Sequence, residues 1–178
     1  HASQTFGEDA VYVAMAEFLL WPEDPEEVFN EDNYERLMPL FVPWFLFNWE
    51  YDALEAAGYE LDGPEGRTVA ELYAEKHAGR LDSVEETLIT SVNRQPYSFW
   101  EVIAAEPGRG ITVKDILRGH SLKVTEIMAS EYVQPGEMLF GRAVNVDGVG
   151  MLVGLAHTRL PAGRKPDVIQ LRKRLGRG

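Results

Sequence analysis

The spacing of apolar residues changes near Ser98, and that change constrains the fold more than any other feature of this sequence. Before it, apolar residues recur at three- and four-residue intervals, as in amphipathic helices. After it they fall in short runs separated by turns rich in Gly and Pro, as in strands. We predict strands over Phe99–Ala105, Ile111–Leu117, Ser121–Met128, Glu137–Val146 and Val149–His157. The predicted fold class is therefore α+β, with an N-terminal helical layer packed on a small antiparallel β-barrel or sheet and a basic C-terminal extension.

This division predicts three segments. Residues 4–96 form an acidic helical subdomain, residues 97–160 a small β-rich subdomain of SH3-like or OB-like size, and residues 161–178 a basic tail. The leading His1-Ala2-Ser3 is interpreted as a vector-derived remnant and is left out of the first segment. Within the tail, Val168, Leu171 and Leu175 have the spacing of a short amphipathic helix.

Capping residues indicate where the helices begin. The stretch Thr68-Val69-Ala70-Glu71 has the spacing of a capping box, in which hydroxyl and carboxylate satisfy each other's free amides. Asn30 or Asp32 is expected to cap an earlier helix, and Asp82 or Ser83 a later one. Between the last two strands, Asp147-Gly148 predicts a two-residue hairpin turn, because both residues tolerate positive φ.

Two prolines interrupt the second helical region. Each removes an amide donor, so we expect one helix to end near Pro39 and another to begin near Pro43. Large aromatic residues surround this break, and such residues dominate core burial. The predicted core cluster comprises Phe41, Trp44, Phe45, Phe47, Trp49 and Tyr51.

Charge is divided unevenly along the chain. Residues 1–107 hold 23 Asp or Glu against 5 Lys or Arg, whereas residues 108–178 hold 6 against 12. Such asymmetry indicates either two surfaces with different partners or attraction between the halves or between neighbouring subunits. Both interpretations stay open at this point.

The sequence contains no recognisable catalytic, cofactor or metal motif. The absence of cysteine excludes disulfides and thiolate metal sites, and the four histidines form no H-x-x-x-H pair. No G-x-S-x-G elbow or dinucleotide glycine pattern is present. We therefore predict no cofactor and no metal, while a dispersed catalytic site remains open. The most apolar run, Leu37–Trp49, is too short to span a bilayer, so we predict no membrane partner. We separately predict a cytoplasmic location.

Several segments resemble a little-studied bacterial domain often found beside SEC-C type zinc motifs. The segments that carry the resemblance are Phe41–Phe47, Gly66-Arg67-Thr68, Tyr97–Val102, Gly110–Leu117 and Gln134–Arg142, within roughly residues 35–157. The SEC-C motif itself needs cysteines and is absent here. The resemblance therefore implies an uncharacterised domain and assigns no activity to any residue.

Cations of the second half are the candidate contacts for nucleic acid or a protein partner. Five lie in the β-rich segment and three in the tail: Arg109, Lys114, Arg118, Lys123, Arg142, Arg172, Lys173 and Arg174. Small barrels often bind single strands on one sheet face, but the net charge of −12 opposes polyanion binding.

Three functional interpretations follow. The leading one is a non-enzymatic interaction or regulatory module that binds a protein partner or self-associates, with the basic tail suited to an acidic groove. The second is a nucleic-acid-binding protein that uses the basic β-half and tail. The third is an enzyme of unknown chemistry, which would require a pocket with converging polar groups.

Overall fold

The computed structural model describes residues 9–52 and 65–176. The chain divides into two compact units, residues 1–89 (the helical unit) and residues 90–178 (the barrel unit). Helices fill the described part of the first, and a closed five-stranded barrel forms the second. The predicted α+β fold class is confirmed.

Within residues 9–52 and 65–89, four helices lie wholly in the helical unit: α1 (Ala10–Phe18), α2 (Pro25–Val28), α3 (Glu31–Phe47) and α4 (Val69–Lys76). Asn30 caps α3 by accepting a hydrogen bond from the Asn33 amide at 3.2 Å. Thr68 and Glu71 form both hydrogen bonds of the predicted capping box at the start of α4. These two local predictions are confirmed.

Helix α3 corrects the prediction of a break at the prolines. It continues from Glu31 to Phe47 with Pro39 and Pro43 inside it. The two prolines are four residues apart and so lie on the same face, where Pro39 is exposed. The opposite face buries Phe41 and Phe45 in the core. The free energy gained by burying these rings therefore exceeds the cost of the backbone hydrogen bonds that the prolines cannot donate.

The core of the helical unit is aromatic, as predicted. Phe41, Phe45, Trp49 and Tyr51 are buried, and Trp44 packs against them. Phe47, the sixth predicted member, is half-buried and is not part of this cluster. The Phe41 ring lies 5.0 Å from Phe29 and 5.5 Å from Phe18, centroid to centroid, in edge-to-face geometry. Such pairs stabilise by about 0.5–1.5 kcal/mol beyond the area they bury.

Helix α5 (Ser83–Arg94) crosses the division between the units and leads into the barrel. Asp82 caps it by accepting from the amides of Val84 and Glu85 at 2.9 Å. The strands are β1 (Ser98–Glu106), β2 (Gly110–Asp115), β3 (Ser121–Val124), β4 (Met138–Val146) and β5 (Val149–Leu155). Asp147 and Gly148 both have positive φ, so the predicted β4–β5 hairpin turn is confirmed.

The barrel closes in the order β1-β2-β3-β5-β4, with β4 returning to β1. All pairs are antiparallel except β3–β5, which meet in parallel through Val124 and Gly150. Gly150 makes this contact possible, because a Cβ there would lie 2.0 Å from the Lys123 carbonyl oxygen. Trp100, Val102, Ile111 and other side chains fill the interior.

The predicted strand Ser121–Met128 is wrong in its second half. Strand β3 ends at Val124, and residues Ile127–Tyr132 form a short helix, α6. Met, Ala and Glu within this stretch favour helix, and the segment leaves helical geometry at Val133, two residues before Pro135. The chain thus inserts a helix between the third and fourth strands.

The predicted amphipathic helix in the tail is present as α7 (Lys165–Leu175), preceded by a 3₁₀ turn at Ala162–Arg164. Its residue Val168 is buried against Ile116 and Met138. Lys165 Nζ lies 2.6 Å from Glu101 Oε1 on β1. The basic helix therefore packs on the barrel rather than extending away from it.

Candidate functional site

Helix α6 covers one end of the barrel. Val133, directly after it, is buried among the interior residues of the barrel. Ser130 fixes the helix to the β1–β2 turn, since its Oγ accepts from the Gly108 amide at 3.0 Å and donates to the Ile127 carbonyl at 2.6 Å. These contacts hold α6 in one orientation relative to the strands.

That orientation leaves apolar side chains in solvent. Ile127, Met128 and Tyr132 are exposed, and we call them the α6 patch; Met128 is the most open at 73%. The Thr125 amide donates to the Gly150 carbonyl at 2.9 Å, which brings exposed Val149 close to the start of α6. Apolar surface clustered in this way is typical of sites that bind another molecule.

The outward faces of β2 and β3 carry two of the predicted cations. The register places Lys114 between Glu101 and Ser121, and Lys123 beside Thr112. Lys123 Nζ lies 3.5 Å from Glu106 Oε1. Acidic residues of β1 therefore neutralise part of this surface. Arg109 is exposed in the adjacent β1–β2 turn.

Arg118 has a structural partner at the opposite end of β2. Its Nη1 lies 3.4 Å from Oδ2 of Asp115, which is fully buried. Asp115 Oδ1 also accepts from the Ser98 hydroxyl at 2.6 Å and from the amides of Leu117 and Arg118 at 2.8 and 2.9 Å. This carboxylate organises the β2–β3 turn and orients Arg118 along it.

Arg142 requires a correction to the set of surface cations. It lies on β4 and has 0% exposure, so it does not line an accessible face. Its guanidinium lies 4.7 Å above the Tyr97 ring, in cation–π geometry. Burial lowers the pKa of Arg142, and the charge of Tyr97 opposes that shift. Burial also raises the pKa of Tyr97 to about 12, against the opposing effect of Arg142.

The three predicted cations of the tail lie on α7. Arg172 donates from Nη1 to the Ile116 carbonyl at 3.2 Å and so helps to hold the helix on the barrel. Lys173 and Arg174 are exposed. The structure therefore separates the predicted cations into the β2–β3 surface with the adjacent β1–β2 turn, the β2–β3 turn, a buried position on the outer side of β4, and α7.

The helical unit contains an acidic pocket of about 600 Å³. Its described lining comprises Glu17, Asn48, Glu50, Tyr51, Asp52, Glu65 and Gly66. These residues include no Ser, His or Lys that would form a nucleophile–base pair with a carboxylate. Within residues 9–52 and 65–176, no three His, Asp or Glu side chains converge in a way that would hold a metal ion.

Sequence reasoning missed the α6 patch because Ile127 and Met128 fell inside the predicted strand Ser121–Met128, while Tyr132 fell outside every predicted element. Met128 and Tyr132 are four residues apart, which is helical spacing, but a six-residue segment is too short for that period to stand out. It also missed Leu20 and Trp21, whose exposure and positive φ depend on where α1 ends.

The barrel and its inserted helix define an α+β protein with a small mixed β-barrel. The chain belongs to a family of unknown function, DUF7986, whose model matches residues 49–158. The resemblance to an uncharacterised domain is thereby confirmed. No curated protein and no solved structure matches the chain. In the part of the chain that the structure describes, every helix is too short or too polar to cross a bilayer.

Proposed function

We propose that this chain is a non-enzymatic interaction module that binds a protein partner through the α6 patch. The observation that carries the proposal is the exposure of Ile127, Met128 and Tyr132 on a helix that Ser130 attaches to the β1–β2 turn. A fixed apolar cluster loses little conformational entropy on binding, which favours affinity. We also propose a cytoplasmic location, with which the absence of cysteine is compatible.

The surroundings of the patch fit a protein interface. Glu131 on α6 and Arg109 in the β1–β2 turn are both exposed and supply charges of opposite sign near its edge. Protein interfaces combine an apolar centre with a polar rim in this manner. When a partner buries a Met, Ile or Tyr side chain, each Å² of apolar area removed from water contributes about 25 cal/mol to the binding free energy. A few such residues can therefore supply much of the binding free energy.

Site-specific photo-crosslinking tests the proposal. A photoreactive residue replaces Met128 in the full chain, and the matched control carries it at Val84, which is also exposed and apolar but lies on α5 in the helical unit. We expect a discrete protein adduct from position 128 and none from position 84. Excess unlabelled wild-type chain should compete for this adduct, whereas excess Met128→Asp should not.

Two results would overturn the proposal. Equal adducts at positions 128 and 84 would show that labelling does not depend on the patch. Equal competition by wild type and by Met128→Asp would show that the partner does not contact this side chain. Circular dichroism establishes that both substituted chains remain folded.

Nucleic-acid binding is the second candidate, and the barrel topology favours it. A five-stranded barrel with a helix between its third and fourth strands is arranged as in OB-folds, which bind oligonucleotides on strands 2–3 and the neighbouring turns. Lys114, Lys123 and Arg109 lie there. Against it, the outward row Ala104, Thr112 and Lys123 offers no aromatic ring for base stacking, and Glu106 already pairs with Lys123.

Fluorescence anisotropy with labelled single-stranded oligonucleotides separates the two candidates. Nucleic-acid binding requires an affinity that falls steeply with salt and is lost in Lys114→Glu/Lys123→Glu. Lys76→Glu/Arg80→Glu is the matched control, because it reverses two exposed cations that lie in the helical unit, outside the barrel. Absence of binding at low salt, where attraction to phosphate is strongest, would exclude this candidate.

A further inference from the structure

The turn after α1 contains an unusual backbone for its residues. Leu20 and Trp21 have φ of +62° and +56°, in the left-handed region that favours glycine. The Leu20 amide donates to Glu17 O at 2.9 Å and the Trp21 amide to Ala16 O at 2.6 Å. This is the hydrogen-bond pattern of a Schellman motif, with leucine at the position that glycine usually occupies.

The folded chain gives little packing in return for this strain. Leu20 is 88% exposed and Trp21 is 44% exposed. The two hydrogen bonds compensate part of the strain, but the Leu20 side chain lies almost wholly in solvent. Strained positions of this kind are characteristic of functional sites. We call Leu20 and Trp21 the α1 tip.

The chain around the α1 tip is strongly acidic. Residues 9–35 contain nine Asp or Glu and no Lys or Arg. A partner surface for the tip should therefore combine apolar side chains with positive charge, since a neutral or acidic surface would face uncompensated carboxylates.

Helix α7 has such a surface. Leu171 and Leu175 are four residues apart and therefore adjacent on the helix, and Leu175 is 63% exposed. Lys173 and Arg174 are exposed beside them. Val168 and Lys165 hold the helix on the barrel, so this ridge of Leu171 and Leu175 is presented on a fixed support.

We propose that the α1 tip of one molecule docks on the α7 ridge of a second molecule of this chain. Apolar side chains meet at the centre of the contact, while the acidic segment of one copy faces Lys173 and Arg174 of the other. The two surfaces differ, so the contact is heterologous. Each bound pair retains one free tip and one free ridge, and association therefore proceeds to rings or chains. This contact is separate from the α6 patch.

Sedimentation velocity of the full chain tests this contact over a range of protein and salt concentrations. We expect association that increases with protein concentration and weakens as salt increases. Leu20→Gly and Leu171→Ser/Leu175→Ser should each be monomeric. An equimolar mixture of these two variants should form a dimer of one copy each that does not grow further, because only one intact tip and one intact ridge remain available.

Leu20→Gly also separates loss of the contact from loss of the fold. Glycine suits the left-handed position, so the melting temperature of this variant should equal or exceed that of wild type. Val84→Ser, at another exposed apolar position, is the matched control and should associate as wild type does. The proposal is overturned if wild type stays monomeric at low salt and high concentration. It is equally overturned if the mixed variants stay monomeric, or if Val84→Ser abolishes association to the same extent.

Discussion

In the helical unit, large aromatic rings from distant segments pack edge to face, whereas in the barrel unit backbone approaches backbone so closely that side chains are excluded. Phe18, Phe29 and Phe41 illustrate the first kind of contact. Gly150 against Lys123 and Gly110 against Val124 illustrate the second, because a Cβ at either glycine would lie 2.0 or 2.3 Å from a carbonyl oxygen. The units therefore differ in how they tolerate change: a ring core can relax around a smaller side chain, but a closed barrel has no room for an added one.

The two units also differ in charge. Residues 1–89 contain 21 Asp or Glu and 4 Lys or Arg, while residues 90–178 contain 8 and 13. An excess of like charge opposes compaction through self-repulsion. The helical unit folds in spite of this because its aromatic cluster is large, and each buried ring removes about 150–250 Å² of surface from water.

Replacing Gly150 should have the largest effect and should be confined to the barrel unit. In Gly150→Ala the new methyl group would overlap the Lys123 carbonyl, so β3 and β5 cannot stay paired. We expect a loss of more than about 4 kcal/mol in the free energy of unfolding of the barrel. Hydrogen exchange read separately for peptides of each unit measures this loss.

Gly163→Ala is the control, because no heavy atom lies within 4 Å of a Cβ at that position. It should leave exchange in both units unchanged. Rapid exchange throughout the helical unit in Gly150→Ala would contradict the comparison, because it would show that the two units unfold as one.

Removing the Phe41 ring should have the next largest effect, in the other unit. Phe41 is buried and contacts the rings of Phe18, Phe29, Trp44 and Phe45. We expect Phe41→Ala to destabilise the helical unit by about 3–4 kcal/mol, from lost transfer energy and the cavity left behind. Denaturant unfolding followed by tryptophan fluorescence gives the value. Val42→Ala, at the neighbouring half-exposed position, should cost less than about 0.5 kcal/mol; equal losses would mean that the ring cluster is not what stabilises this unit.

Features set by neighbours in the sequence were predictable, and features set by distant segments were not. The Thr68–Glu71 capping box and the Asp147-Gly148 turn each involve residues no more than three apart, and both are present. The continuity of α3 through its prolines depends on rings contributed by Phe18 and Phe29, which the local pattern does not reveal. The parallel pairing of Val124 with Gly150 is likewise a contact between distant segments.

The candidate site follows the same rule. Residue type alone identified the cations of the barrel, and the structure places Arg109, Lys114 and Lys123 in solvent. The sequence pattern could not identify Arg142 as buried. Strand alternation places that residue outside the barrel interior and does not reveal which side chains cover the outer face. The α6 patch depended on recognising a helix of six residues, which is too short to give a clear period.

Ionisation of Tyr97 should have the smallest effect and is specific to the barrel unit. Its pKa is raised from 10.0 to about 12, so the folded state favours the neutral phenol. The resulting stabilisation is complete below pH 10 and is lost as pH rises through 12. Because the side chain is only partly buried, we expect this stabilisation to be about 1–2 kcal/mol after screening by solvent.

The free energy of unfolding should therefore fall more steeply between pH 10 and pH 12 in wild type than in Tyr97→Phe. Tyr132→Phe removes an exposed phenol from α6 and should keep the wild-type slope. If Tyr97→Phe also keeps that slope, the alkaline sensitivity arises elsewhere and burial beside Arg142 does not control this phenol.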